Sequence, residues 1–133
     1  MKLNDLKIYN QAVEVGECIW EIVSKWDYFS RDTLGKQLVR STDSIAANIS
    51  EGFGRYHFKD NRNFLYYARG SLYETSTWIL KAHKRKLIEE TKYTELTNEF
   101  KDLGIKLNNY INTIGNNKKN APKTTKDNRM TTE

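Results

Sequence analysis

Two histidines, His57 and His83, and one cysteine, Cys18, are the side chains best suited to acid–base, nucleophilic or metal chemistry near neutral pH. Neither histidine has another His or Cys four residues away, so the helical zinc pattern is missing. No Glu-x-x-His pair occurs, which removes the ligand set of a di-iron bundle. Neither histidine has an Arg one to two turns upstream, the pattern of helical RNases that pair the two. Cys18, standing alone, cannot form an internal disulfide or a metal cage and reads as a packed thiol. The stretch "GFGR" offers two glycines, but a phosphate loop follows a strand and opens a helix, whereas these glycines follow a helical pattern. The expectation is a chain with no catalytic site, no metal and no cofactor.

Two other patterns carry more. The first is a polar column. With Ile45 at the centre of a helical apolar face, Asn48 lies about 60° to one side, and Gln37, Ser44 and Glu51 follow on the same flank with Arg40 at its outer edge. Ser71, Glu74 and Thr75 offer a counterpart further along the chain. Two such edges facing each other would hydrogen-bond and set helix register, with Glu51 and Glu74 accepting bonds from Ser, Asn or Arg neighbours across the pair. The second is a basic and aromatic face. Lys59, Arg62, Tyr66, Arg69 and Tyr73 recur at steps of three and four, and Lys84 and Arg85 extend the basic character. Cations interleaved with tyrosines suit phosphates and unpaired bases. They also suit a subunit interface, where Tyr and Arg are enriched, and a solvated face carries such residues too.

Four amphipathic helices must position these groups. Ile8, Ala12, Val15, Ile19, Ile22 and Trp26 form the first stripe, widened by Val13, Trp20 and Val23. Ser30 or Asp32 then caps the next helix. Leu34, Leu38, Ile45 and Ile49 form the second stripe, which ends at Gly52 to Gly54, where glycine would accept the left-handed conformation of a helix end. Phe58, Leu65, Leu72 and Ile79 are spaced by sevens in the third, which runs to about Leu87, and Phe64, Ala68, Thr75, Trp78 and Ala82 broaden it. Lys84, Arg85 and Lys86 fall in its last turn, where positive charge suits the helix dipole. Thr91 is the expected cap of the fourth, whose stripe is Leu96, Phe100, Leu103, Leu107, Ile111 and Ile114. The reading is an all-α, up-down-up-down four-helix bundle over residues 1–115, with a disordered basic tail over 116–133.

Charge is unevenly spread. The net charge is +5 over 133 residues, yet residues 1–30 carry three basic and five acidic side chains while residues 55–88 carry eight basic and two acidic. Such a segment could steer a polyanion or an acidic partner. No apolar run of signal-peptide or membrane-span length is present, so the expectation is a soluble, cytoplasmic protein.

The run "SIAANISEGFGR" followed by "GSLYET" resembles the four-helix-bundle family of 23S rRNA intervening-sequence proteins. Gln37, Arg40, Ser44, Ile45, Asn48, Ile49, Glu51, Gly52 and Arg55 carry the likeness, then Gly70, Ser71, Leu72 and Glu74. Leu6, Tyr9 and Ala12 are similar to that family's first helix, and the resemblance spans roughly residues 3–115. Ser50 stands where the family often has Ala, and Ala47 near where it often has Pro. The resemblance implies a small bacterial bundle that assembles as a ring-like homopentamer. A related member, the accessory variability protein of diversity-generating retroelements, is similar in fold and binds a reverse transcriptase and nucleic acid. The functional expectation is a non-enzymatic accessory protein. Its partners would be further copies of itself, RNA or DNA, and a reverse transcriptase or other nucleic-acid-processing protein. The alternatives are a purely structural protein–protein assembly module and, third, a nuclease or other enzyme.

Overall fold

The computed structural model describes the backbone of residues 1–120 and the side chains of residues 1–114. Four long helices make the molecule: α1 (Lys7–Ser24), α3 (Lys36–Phe53), α4 (Phe58–Lys84) and α5 (Glu90–Asn120). A 3-10 turn (Leu3–Asp5) precedes α1; a short α2 (Tyr28–Ser30) and a π-helical turn (Arg31–Gly35) lead into α3. There is no strand among the described residues. The tail expected over 116–133 lies outside the described residues, apart from the backbone of 116–120, which completes α5.

Each long helix packs on two neighbours, in the cyclic order α1, α3, α4, α5. The α1–α3 groove therefore lies across the bundle from the α4–α5 groove. Cross-helix contacts fix alternating directions. A methyl on Gly16 would meet Asp43 and one on Gly35 would meet Val23, Ser44 bonds Ser71 while Ser41 bonds Thr75, and Gln11 reaches Glu99 and Asp102. Between α4 and α5, Arg69 meets Asn108 while His83 stacks on Tyr93, and between α5 and α1, Cys18 lies beside Lys92 while Gln11 reaches Glu99 and Asp102, so in every pair higher numbers on one helix meet lower numbers on the next. This is the up-down-up-down arrangement that steps of three and four favour.

The core is the four stripes read from the sequence. Ile19, Leu38, Ile45, Ile49, Leu65, Ile79, Leu103 and Leu107 are fully buried at its centre. Val13 and Trp20, which seemed to widen the first stripe, are exposed at the α1–α3 edge instead. Each follows a stripe residue, Ala12 or Ile19, by one position, about 100° further round the helix, which carries it off the apolar face.

Helix ends differ from expectation in four places, one being α4, which stops at Lys84 rather than about Leu87 and leaves Arg85 and Lys86 beyond its last turn. Ser30 and Asp32 do not cap a helix: they lie inside the continuous α2–π–α3 run, Asp32 paired with Lys36 at 3.1 Å. Asp27 stands at the start in extended backbone, and a hydrogen bond from Ser30 holds its carboxyl below the usual range. Thr91 sits within the first turn of α5, which begins at Glu90. Finally, no glycine among the described residues has positive φ. Gly54 ends α3 in right-handed backbone, and Gly52 is needed for close approach: a Cβ there would lie 2.8 Å from Asn61 Oδ1 and 2.9 Å from the Asn61 carbonyl. The left-handed residue is Lys86, with φ of 64°. Beyond Arg85, Lys86 N–H donates to the His83 carbonyl and Leu87 N–H to that of Ala82, the paired bonds of a Schellman end normally built on glycine.

Candidate functional site

The polar column is a hydrogen-bonded seam between α3 and α4. Ser71 Oγ donates to Ser44 Oγ at 3.0 Å, and Asn48 Nδ2 donates to Ser44 Oγ and to the Ser44 carbonyl, both at 2.9 Å. One turn deeper, Thr75 Oγ1 lies 2.9 Å from Ser41 Oγ and 2.8 Å from the Ser71 carbonyl. Ser41, Thr42 and Thr75 are buried, and each hydroxyl has a partner. The small side chains let the two helices approach closely while every polar group stays satisfied. Gln37 accepts from Arg40 along the outer edge.

The carboxylates behave otherwise than expected. Glu51 pairs with Arg55 at 2.7 Å, and Glu74 accepts from Trp78 Nε1 at 3.1 Å, each within its own neighbourhood rather than across the helix pair. Both carboxylates are exposed. Arg55 also lies over the Phe64 ring, 4.7 Å from its centroid.

His57 opens α4, and no hydrogen bond joins it to Glu51 or Glu74 among the described residues. Its Nδ1 and the Oδ1 of Asn61 are buried and have no partner among the described residues. Burial pushes the nearby Tyr110 hydroxyl up, opposed by a hydrogen bond from Asn61. His83 joins α4 to α5: its ring stacks on Tyr93 at 4.2 Å, and its Nε2 lies 3.1 Å from Glu90. Cys18 is partly buried against the core. No group of three or more His, Cys, Asp or Glu side chains among the described residues is placed to hold a metal ion.

Arg69 and Tyr73 of α4 line its groove with α5, Lys59, Arg62 and Tyr66 share their helix face by steps of three and four, and Arg85 lies just beyond the end of α4 at Lys84. Lys59, Tyr66, Tyr73, Lys84 and Arg85 are exposed, and Arg62 and Arg69 are half-buried. Arg69 is held in place: its Nη1 donates to Asn108 Oδ1 of α5 at 2.9 Å, and its guanidinium lies 4.9 Å from the Tyr66 ring centroid. Beside them runs a groove between α4 and α5 of about 430 Å³, walled by Tyr73, Leu80, Tyr93, Lys101 and Ile105. Tyr66, Tyr73 and Leu80 recur by sevens and remain 42%, 66% and 41% exposed, with Ile105 opposite at 56%. Leu80 and Ile105 escaped the sequence reading. Their signal was the step of seven continuing from Tyr73, and an apolar residue off the α5 stripe.

A second surface was also missed. Trp20, 57% exposed, lies in the α1–α3 groove beside Val39, with Arg31, Lys36 and Arg40 around it. Its signal was a tryptophan at the edge of the first stripe, and cations spread over a different segment, which only folding brings together.

The family model for "23S rRNA-intervening sequence protein" matches residues 4–109. No curated protein matches the chain. Among solved structures, a crystal structure of a protein of unknown function from the S23 ribosomal protein family of Bacteroides thetaiotaomicron VPI-5482 is similar, with a TM-score of 0.71 and 23% identity over 78% of this chain and 97% of that one. At that identity the likeness speaks for the fold. The family match, spanning most of the bundle and its polar α3–α4 seam, decides the rest: the chain belongs to the 23S rRNA-intervening sequence protein family.

Proposed function

We propose that this protein is a non-enzymatic, homo-oligomeric accessory factor that binds nucleic acid, or a nucleic-acid-processing protein such as a reverse transcriptase, through the α4 edge. The observation that carries the reading is the line of exposed tyrosines and cations on one helix edge, with Arg69 anchored between Asn108 and Tyr66. An anchored guanidinium loses little freedom on meeting a phosphate, and flanking tyrosines can stack on bases. Lys59 near one end of α4 and Lys84 and Arg85 at the other extend the positive edge along the helix. A cytoplasmic place of action is part of the same proposal. No helix among the described residues is long and apolar enough to cross a membrane.

The reading of a pure assembly module has its own support. Tyr66, Tyr73, Leu80 and Ile105 form an apolar seam of the kind that protein interfaces cover. The two readings combine if this seam meets a neighbouring copy in a ring, pentameric as the resemblance implies, while the terminal cations stay open to a polyanion. Replacing Lys59, Arg62 and Arg69 together by Ala separates them. Nucleic-acid binding is expected to fall at least tenfold with the particle mass unchanged; unchanged binding by an intact particle would remove the α4 edge from the account.

A further inference from the structure

We infer that the α1–α3 groove around Trp20 is a seat for an unpaired stretch of RNA. The inference rests on the nucleic-acid reading above but concerns the opposite side of the bundle. The groove measures about 380 Å³, of the size that takes a small ligand or one nucleotide. Its floor is apolar, made by Val23 and Val39, and the indole of Trp20 is its one aromatic surface. Three cations, Arg31, Lys36 and Arg40, line it with no carboxylate among the lining residues. Lys36 is already paired with Asp32 and Arg40 donates to the uncharged Gln37 side chain, which leaves Arg31 and Arg40 as the groove cations not paired with a carboxylate among the described residues. An exposed aromatic plane beside guanidinium groups is what single-strand recognition uses: the ring stacks on a base and the cations follow the backbone.

The local backbone supports a built site. Arg31 and Gly35 bound a π-helical turn, a distortion frequent at functional sites. Gly35 packs so closely on Val23 that a Cβ there would lie 2.7 Å from Val23 Cγ1, which fixes the wall of the groove. Just before this turn, Tyr28 and Phe29 are exposed and can extend a stack along the strand. The ribose side favours RNA. Ser24 lines the groove and donates its hydroxyl proton to the Glu21 carbonyl, which leaves Ser24 Oγ an acceptor for a 2′-hydroxyl.

A second copy of the chain is the competing occupant. The α5 carboxylates of such a copy are poorly placed to reach Arg31 and Arg40, so it would have to cover the groove with its apolar residues or with the exposed carboxylates of α1. The acidic edge of α5 is already engaged, Glu95 with Lys92, Glu99 with Gln11, and Asp102 with Gln11 and Lys106.

The experiment compares a labelled single-stranded RNA, its DNA counterpart and a blunt RNA duplex of the same sequence by fluorescence anisotropy, with particle mass measured alongside. The proteins are the full chain and its Trp20→Ala, Trp20→Phe and Lys59/Arg62/Arg69→Ala variants. Trp20→Ala should weaken single-stranded RNA by about fivefold to 150-fold, the worth of one stacked base. Trp20→Phe should restore most of that loss, duplex affinity and mass should not change, and single-stranded DNA should bind the wild type more weakly than RNA. Single-strand affinity untouched by Trp20→Ala, but lowered by the α4 variant, overturns the groove and leaves the α4 reading standing. Equal losses for strand and duplex, or DNA bound as tightly as RNA, also overturn it. A particle that dissociates in Trp20→Ala assigns the groove to a second copy. No RNA binding by the wild type defeats both readings together.

Discussion

Single residues show where composition and conformation part. Lys86 occupies a left-handed position that costs a non-glycine residue about 1–2 kcal/mol. Lys86→Gly should therefore raise stability by about 0.5–1 kcal/mol in a denaturant titration, after allowing for glycine's larger unfolded-state entropy; a loss of stability would mean that the lysine side chain holds the turn. Asp43 carries the opposite kind of strain. It lies against Gly16, and burial, with Glu17 nearby, pushes its carboxyl above the usual range. The folded state then holds the Asp43 proton more tightly than the unfolded chain, so this group's contribution falls as pH rises through its folded pKa. Asp43→Asn should raise the Tm at neutral pH, and the gain should vanish below about pH 4, where both states are protonated. A gain that persists at acid pH would place its origin elsewhere. Neither feature was legible beforehand. A lysine carries no sign of left-handed backbone, and Asp43 meets Gly16 only once α1 and α3 pack.

At the level of elements the sequence was far more informative, because burial follows the helical period. The sevens of Phe58, Leu65, Leu72 and Ile79 gave the inner face of α4, and three of these four are buried, with Phe58 partly so. The polar flank beside Ile45 gave the α3–α4 seam through Ser44, Asn48 and Ser71. The π turn before α3 left no mark, since one inserted residue changes the phase of a stripe without changing its composition. The glycine pair near the end of α3 misled for a related reason: glycine serves close approach as well as left-handed turns, and only the position of Asn61 decides between them. The seam itself has a measurable worth. Thr75→Val removes a buried hydroxyl with two oxygen partners and should cost about 1–2 kcal/mol. Combined with Ser41→Ala, the loss should be smaller than the sum of the two single changes, since they share one bond. Strict additivity would show that α3 and α4 are held by their apolar contacts alone.

Across the whole molecule, a positive balance of +5 and grooves on opposite sides of the bundle put the chain's distinctive features on its surface. The apolar stripes are consumed by the core, and the titratable side chains are dispersed. The α4 edge brings cations and tyrosines together in a line long enough for several phosphates. Electrostatic capture of that kind has one signature that apolar docking lacks, because bound phosphates release counterions. The decisive measurement is the affinity for single-stranded RNA as a function of salt concentration, for the wild type and for the Lys59/Arg62/Arg69→Ala variant. The account predicts a steep linear fall of log affinity against log salt for the wild type, and a slope shallower by about two for the variant, roughly 0.7 for each lost phosphate contact. Identical slopes for the two proteins, or an affinity indifferent to salt, would contradict it.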